Sequence, residues 1–546
     1  MIREFEEKFG STLGKKVIAK NKVLYTLMVR REDFPNIINY ILSRPNTRLF
    51  TMVGMDERNT EEAFSVTYWF LDWKDNEVVG IRLYVPEDEP TFPSVGAFHK
   101  GAIWFEREVQ DLLGLKAEGL PDPRRLVLPD DWPEGVYPLR EDFQYYHSPA
   151  GTRSYPYKEP PEDSTVHPMG PYHVALDEPA HFRLFVKGEE IVDVDYRGFY
   201  SHRGIEKLAR GRLNYNQIIF IAERICGICG FSHSVAYAQA VEEAAGIEVP
   251  DRARYIRTIL LEIERLHSHL LWLGVAAHLT GFDTAFMRSW EIREQVMELA
   301  ERLTGNRKTY GLVLVGGVRR DLLDYRKSLV LETLKNLRRE FDELVDMLVS
   351  TKSFVKRCEG VGVLPKEKAM EWDTAGPLAR ASGIDYDTRK SLPYAAYDEL
   401  SFDVPVYKEG DVLARALVRI DEVRESISLL EQAVDAIPGG PVIAEFNEVP
   451  SWREGISAVE APRGENTHYV MTGEVNRIYR WRVKAPTYNN LQAVPDMLRG
   501  YTIADAPLIV ASIDPCYSCT ERVQVVDVES GKAKVISLGG GIGACP

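Results

Sequence analysis

The sequence predicts an α+β domain at the front of the chain, followed by a larger, mainly α-helical domain around a central helix bundle. Three features predict it. Runs rich in aromatic and β-branched residues crowd the front, a proline-rich stretch from His147 to Pro168 interrupts the chain, and long stripes of helical periodicity follow. At 546 residues the chain is too long for one compact core, so more than one domain is the natural expectation.

In order, Phe34 to Ser43 has helical periodicity, Phe64 to Trp73 and Val78 to Val85 read as strands, and Ala102 to Leu113 reads as a helix with Trp104, Val109 and Leu112 on one side. These elements fill a domain over residues 1–146. The segment 147–167 carries Pro149, Pro156, Pro160 and Pro161 among Ser, Thr, Gly, Glu and Asp, the composition of an extended linker. Residues 168–522 are expected to be mostly helical. Arg252 to His278 repeats Ile256, Ile259, Leu260, Ile263, Leu266, Leu270 and Leu273 at a period of about 3.6. Similar stripes run over Met287–Leu303, Leu322–Val349 and Val412–Ile437, the last stopped by Pro438-Gly-Gly-Pro. Residues 523–546 are a tail ending in Gly539-Gly-Gly-Ile-Gly-Ala-Cys-Pro.

A net charge of −15 argues against a nucleic-acid partner, because no basic face is available to neutralise phosphates. No run reaches the roughly 18 apolar residues of a spanning helix. The best, Leu270 to Leu279, is short and contains His278. No basic segment followed by an apolar one opens the chain, so no secretory signal is expected. The expectation is a cytoplasmic protein that meets a membrane only through partners.

Six cysteines are too few for a disulfide scaffold. Four of them form two pairs, Cys226/Cys229 and Cys516/Cys519, while Cys358 and Cys545 stand alone. Thiolates are soft ligands that suit zinc, iron–sulfur clusters and nickel, and cysteines three apart can grip one metal from the same side of a turn. A structural zinc site is the plain reading of such a pair. Against it, zinc ribbons hold their two pairs within roughly 15–20 residues, whereas here a whole helical domain intervenes. A site joining the start of a domain to its end is built by the fold.

The surroundings are more specific. The first pair stands in Glu223-Arg-Ile-Cys-Gly-Ile-Cys-Gly-Phe-Ser-His233, the second in Asp514-Pro-Cys-Tyr-Ser-Cys-Thr-Glu-Arg522. These resemble the two signatures of nickel–iron hydrogenase large subunits. Arg522, where the best-studied groups have His, resembles the membrane-bound, energy-converting group 4. The resemblance implies that all four thiolates bind nickel, Cys226 and Cys516 as terminal ligands and Cys229 and Cys519 as bridges to an iron that also holds carbon monoxide and cyanide. Glu178, in Gly170-Pro-Tyr-His-Val-Ala-Leu-Asp-Glu-Pro179, resembles the glutamate that begins the family's proton path, with His173 a lesser candidate nearby. Without the resemblance, an Asp-Glu before proline reads as a surface turn. Arg463, in Glu460-Ala-Pro-Arg-Gly-Glu465, resembles the guanidinium set over the metals; its bland alternative is a surface ion pair. His233 is placed to donate a hydrogen bond to a cysteine sulfur, the alternative being an ordinary core histidine. His267 and His269 do not share a helix face and read as structural. Glu206 resembles a position associated with magnesium, but Arg522 replaces another ligand of that site, which counts against the ion. Cys358 and Cys545 are taken as non-ligands.

Further stretches extend the resemblance over nearly the whole chain. Glu106 to Gly114, Leu128 to Trp132 and Pro138 to Phe143 resemble the 30 kDa subunit of complex I. His202 to Lys207 and Ser268 to Gly274 resemble its 49 kDa, hydrogenase-derived subunit. The fusion is similar to large subunits of formate hydrogenlyase and hydrogenase-4 complexes. It implies electrons delivered by a 4Fe–4S cluster in a separate small subunit, further iron–sulfur subunits, ion-translocating membrane subunits, and docking on the cytoplasmic side of the membrane. It also implies a maturation endopeptidase cutting between Arg522 and Val523. Two other readings stand beside it: a metal-free quinone-module subunit of a complex I-like enzyme, and a structural zinc scaffold. A related sulfur-reducing complex, whose large subunit has lost part of the cysteine set, is excluded by the same four cysteines.

Overall fold

The structure is a computed structural model. It describes residues 13–18, 22–130, 132–143, 155–173, 175–176, 178–322, 324–474 and 476–519, with short strands at 525–526 and 533–534. At the front, strands β1 (Leu13–Ile18), β2 (Val23–Met28), β3 (Thr47–Glu57), β4 (Ala63–Asp72) and β5 (Glu77–Val85) form a sheet in the order β1-β2-β5-β4-β3. Only β2 and β5 run parallel. The predicted strands are β4 and β5, and the predicted helices are α1 (Phe34–Leu42) and α2 (Ile103–Leu113). Proline in the first turn starts α1, and Gly114 in the left-handed conformation ends α2. Acids on α2 are buried because each has a full set of donors. Glu106 accepts from Tyr68 and from the backbone of Val95 and Gly96, and Asp111 from the backbone of Leu126, Val127 and Leu128.

The proline-rich stretch lies partly outside the described residues. Its end differs from the expected linker: Thr165–Met169 is a strand, β6, paired with β7 (His181–Lys187), which pairs with β8 (Glu190–Arg197). Pro168 is tolerated there because β6 is an edge strand, where a missing N–H breaks no ladder.

Beyond it come α3 (Tyr215–Glu223), α4 (Gly230–Ala245), α5 (Asp251–Leu279), α6 (Asp283–Thr304), α7 (Asp324–Ser350) and α8 (Val412–Ala436). Helix α5 packs against α6 and α8, and α7 against the same two. The predicted stripe of α5 is buried along its whole length. A third sheet was not expected: β9 (Glu454–Ala461), β10 (Gly464–Thr472) and β11 (Ile478–Lys484) form an antiparallel meander covered by α4. Every residue of β10 is buried, so neither face leaves the polar alternation by which a half-exposed strand is read.

The front sheet and the meander meet edge to side chain. Strand β3 pairs with β4 alone, and carbonyls on its other edge are taken by β11: Arg482 donates to Met52, Arg480 to Gly54, Lys484 to Phe50 and Tyr479 to Asp56. From α2, Glu108 receives Arg482 and Tyr488. One apolar cluster runs from Leu24 in the front sheet to Tyr517 beside the second cysteine pair.

Candidate metal centre

The first cysteine turn joins two helices. An Asn214–Gln217 capping box starts α3, and the chain then folds back so that Cys229 is the N-cap of α4. The turn is tight enough to demand glycine: a Cβ on Gly230 would lie 2.2 Å from the carbonyl oxygen of Glu223. The Cys226 sulfur accepts the backbone N–H groups of Ile228 and Cys229 at 3.3 and 3.2 Å. These donors and the helix N-terminus both favour thiolate.

The second turn follows Asp514, whose positive φ of 56° bends the chain ahead of Pro515. Cys516 donates its N–H to Thr487 Oγ1 at 3.1 Å, and Tyr517–Cys519 closes as a 3-10 turn. Arg203 reaches both turns, donating to the carbonyls of Ile225 and Ser518 at 2.7 and 2.6 Å.

The fold brings the pairs together. The Cys226 sulfur stands 3.0 Å from that of Cys516 and 3.1 Å from that of Cys229. Ligand atoms of these three residues all lie within 4.8 Å of one another, and all three residues are buried. The spacing is far beyond the roughly 2.05 Å of a disulfide. Ionised sulfurs so close, away from water, repel unless a cation joins them, and a soft transition metal is the cation that this donor set suits. The residues fit the implied centre. Cys519 is described by its backbone alone, at the end of the same turn.

Arg463 is fully buried, not on the surface. Its Nη1 donates to Ser268 at 2.9 Å, its Nε to the Asp514 carbonyl at 2.7 Å and its Nη2 to Asp514 Oδ1. Gly376 lets the backbone crowd it: a Cβ there would lie 2.3 Å from the Arg463 carbonyl. Burial opposes its charge, but Asp514 and the sulfurs of Cys516, Cys229 and Cys226 outweigh burial and hold the guanidinium firmly protonated. Glu178 is half-buried, and its carboxylate accepts the N–H of Ser518 between the second pair of cysteines.

His233, one helical turn past Cys229, is fully buried. Burial lowers its pKa to about 4, against the pull of Cys226. A chain of hydrogen bonds sets its tautomer. The Trp481 indole only donates, so Nδ1 of His468 accepts it at 3.1 Å; Nε2 of His468 then donates to Nδ1 of His233 at 3.0 Å, leaving the His233 proton on Nε2.

Other candidates lie elsewhere. His269 is tied to Glu422, and His173 accepts the N–H of Ala175. His267 contacts Lys308 and the Ile228 carbonyl. Magnesium does not fit at Glu206: one carboxylate oxygen takes Arg480 at 2.6 Å, the other Arg482 and the Val483 N–H at 3.2 and 3.0 Å. Two guanidinium groups stand where a dication would need room. Cys358 is in the bundle core, where burial pushes its thiol up to about 12; Arg522 and Cys545 fall outside the described residues. Ser268, Asp514, Arg203 and Lys308 escaped sequence reasoning as partners of the site. Asp514, Arg203 and Ser268 carried a signal, their places in stretches that resemble the family, whereas Lys308 carried none.

The family "Nickel-dependent hydrogenase" matches residues 203–310. "Respiratory-chain NADH dehydrogenase, 49 Kd subunit" matches 280–454 and 446–522, and the corresponding "30 Kd subunit" matches 27–148. The chain is 46% identical to formate hydrogenlyase subunit 5 of Escherichia coli (strain K12), over 94% of this chain and 91% of that protein. It is 44% identical to hydrogenase-4 component G of the same organism, over 94% and 90%. A solved structure of the membrane-bound sulfane sulfur reductase, an archaeal respiratory membrane complex, superposes with a TM-score of 0.63 at 34% identity, covering 66% of this chain and 99% of that one. The chain belongs to the membrane-associated nickel–iron hydrogenases, as a catalytic subunit of the formate hydrogenlyase and hydrogenase-4 type, with fused 30 kDa- and 49 kDa-like parts.

Proposed function

We propose that Cys226, Cys229, Cys516 and Cys519 hold a nickel–iron centre on which protons and electrons combine to dihydrogen, reversibly. The observation that carries this reading is the convergence of three sulfurs from two distant turns in a buried pocket. When bound, the centre supplies the two-electron exchange between dihydrogen and protons, with carbon monoxide and cyanide on the iron. Cys226, Cys229, Cys516 and Cys519 would together hold the centre.

The chain's own groups handle charge and protons. Glu178, half-buried and seated on the N–H of Ser518, receives or gives a proton at its carboxylate beside the second turn. Arg463 keeps a permanent charge over the sulfurs, aimed by Ser268 and Asp514. His233, with its proton on Nε2 and one helical turn past Cys229, would donate to a cysteine sulfur and tune it. Ala461 and Ile228 pack against the three buried sulfurs and help to keep bulk water off them.

Outside the four ligands only Cys358 and Cys545 remain, too few to hold a 4Fe–4S cluster, so electrons would come through one in a partner small subunit and further iron–sulfur subunits. No helix among the described residues is long and apolar enough to cross a membrane. Attachment would therefore go through ion-translocating membrane subunits, on the cytoplasmic side. A maturation endopeptidase would cut between Arg522 and Val523. A metal-free quinone-module role has the two NADH dehydrogenase families in its favour, but leaves the clustered sulfurs without a purpose.

Metal analysis of the purified complex separates the readings. Equimolar nickel, with iron beyond that of the clusters and infrared bands of cyanide and carbonyl, is expected. Zinc, or no metal on this subunit, would sink the proposal.

A further inference from the structure

Behind the first cysteine turn lies a charged pair that the mechanism above does not use. Lys308, in the loop after α6, sends its Nζ inward to donate to the carbonyl of Ile228 at 2.8 Å and to Nε2 of His267. Ile228 is the residue between the two cysteines. Burial and Lys308 keep the His267 ring neutral, and in the tautomer with its proton on Nδ1 the Nε2 accepts from Lys308 while lying 3.1 Å from the Ile228 carbonyl. On the other side of the turn, Glu264 of α5 is fully buried and accepts the N–H groups of Phe231 and Ser232 at 2.7 and 2.9 Å, the start of α4. The lysine and the glutamate therefore hold the Cys226–Gly230 turn by its carbonyl and by its amides.

We propose that Lys308 is a positioning residue for the metal centre, anchoring the Ile228 carbonyl and setting a positive charge against Cys226 and Cys229. The inference rests on these cysteines being metal ligands. A carbonyl could be anchored by any neutral donor, and drawing an ammonium into apolar surroundings is costly. The charge has a use only against other charge. Burial pulls Lys308 down to about 8, and the groups that resist are Glu264, Cys226 and Cys229. Once its thiol protons have gone the cysteine site is negative, and Lys308 and Arg463 are cations that act on it.

The test uses the metal-free full chain titrated with Co²⁺, read at the sulfur-to-cobalt charge-transfer absorption. Lys308→Arg should bind cobalt as the parent does. Lys308→Gln, which keeps a donor for Ile228 but loses the charge, should bind roughly 10- to 100-fold more weakly, the range for groups that orient metal ligands. Parent affinity in Lys308→Gln overturns the inference while leaving the ligand assignment intact. Cobalt uptake that Cys226→Ser does not impair removes that assignment, and the inference with it. A second measurement needs no variant: amine acylation at Lys308 of the parent chain, followed by peptide mass spectrometry, should slow several-fold on cobalt loading. Equal rates with and without cobalt overturn the proposal.

Discussion

The two cysteine turns face each other across one cluster of sulfurs, yet they are built on different plans. The first, Cys226 to Cys229, is framed by its own neighbourhood, where α3 ends at it, α4 starts from it and Gly230 seals the close approach to Glu223, and Lys308 and Glu264 then brace that frame from outside. The second, Cys516 to Cys519, is held by groups from far along the chain: Thr487 under Cys516, Glu178 on the N–H of Ser518, and Arg203 on its carbonyl. One half of the site is shaped locally. The other has its supporting groups brought to it by segments distant in the sequence. Arg203, holding both turns at once, is where the two plans meet.

Substitutions can break or sharpen that contrast. The largest effect erases it: Cys229→Ser and Cys519→Ser should each abolish hydrogen evolution and nickel content, because both turns supply indispensable ligands. Residual turnover with full nickel in either would remove that residue from the ligand set. Next comes Glu178→Gln. It should slow hydrogen evolution by about 10²-fold or more, within the span for a positioned acid–base group, while nickel stays bound. A variant as fast as wild type would show that protons leave by another route. Gly230→Ala probes the rigid turn. The added Cβ meets backbone at 2.2 Å, so a loss of about 1–3 kcal/mol in denaturant unfolding and a lower nickel content are expected. Wild-type stability there would mean that the first turn yields as easily as the second. The smallest effect belongs to Thr487→Val, which removes one acceptor from Cys516. A loss of about 1 kcal/mol is expected, and nickel uptake should be slowed more than the final content is lowered. Unchanged uptake kinetics would argue that the second turn is set without Thr487.

Much of this was legible in the sequence, for identifiable reasons. The front strands and the long helices announce themselves because each buries a repeating apolar face, as Ile256 to Leu273 do on α5. The cysteine pairs are legible because spacing is local. The meander Glu454 to Lys484 was not, because its strands are buried on both faces and they and their turn carry Glu460, Arg463, Glu465 and Lys484, residues that ordinarily mark a surface. They are inside because partners come from elsewhere: Arg380 for Glu460, Asp514 for Arg463, and Glu465 and Lys484 for each other. The carbonyl clamps of Lys308 and Arg203 were hidden for the same reason, since nothing nearby in the chain foretells a contact to Ile228 or Ser518. Glu206 teaches the converse: its motif pointed to a cation, and the structure supplies arginines as that cation.

The bare edge of β3 carries a consequence for dissection of the chain. Arg480, Arg482 and Lys484, all buried, draw their acceptors from the peptide backbone of Met52, Gly54 and Phe50. Cutting away the front part would strip those carbonyls from the cations, leaving Arg480 and Arg482 to Glu206 and Lys484 to Glu465, and would bare side chains that are now buried. The half that carries the cysteines is therefore not a portable minimal enzyme. Whoever trims it for expression must bring its companion sheet along, in the same polypeptide or as a second piece supplied from the start.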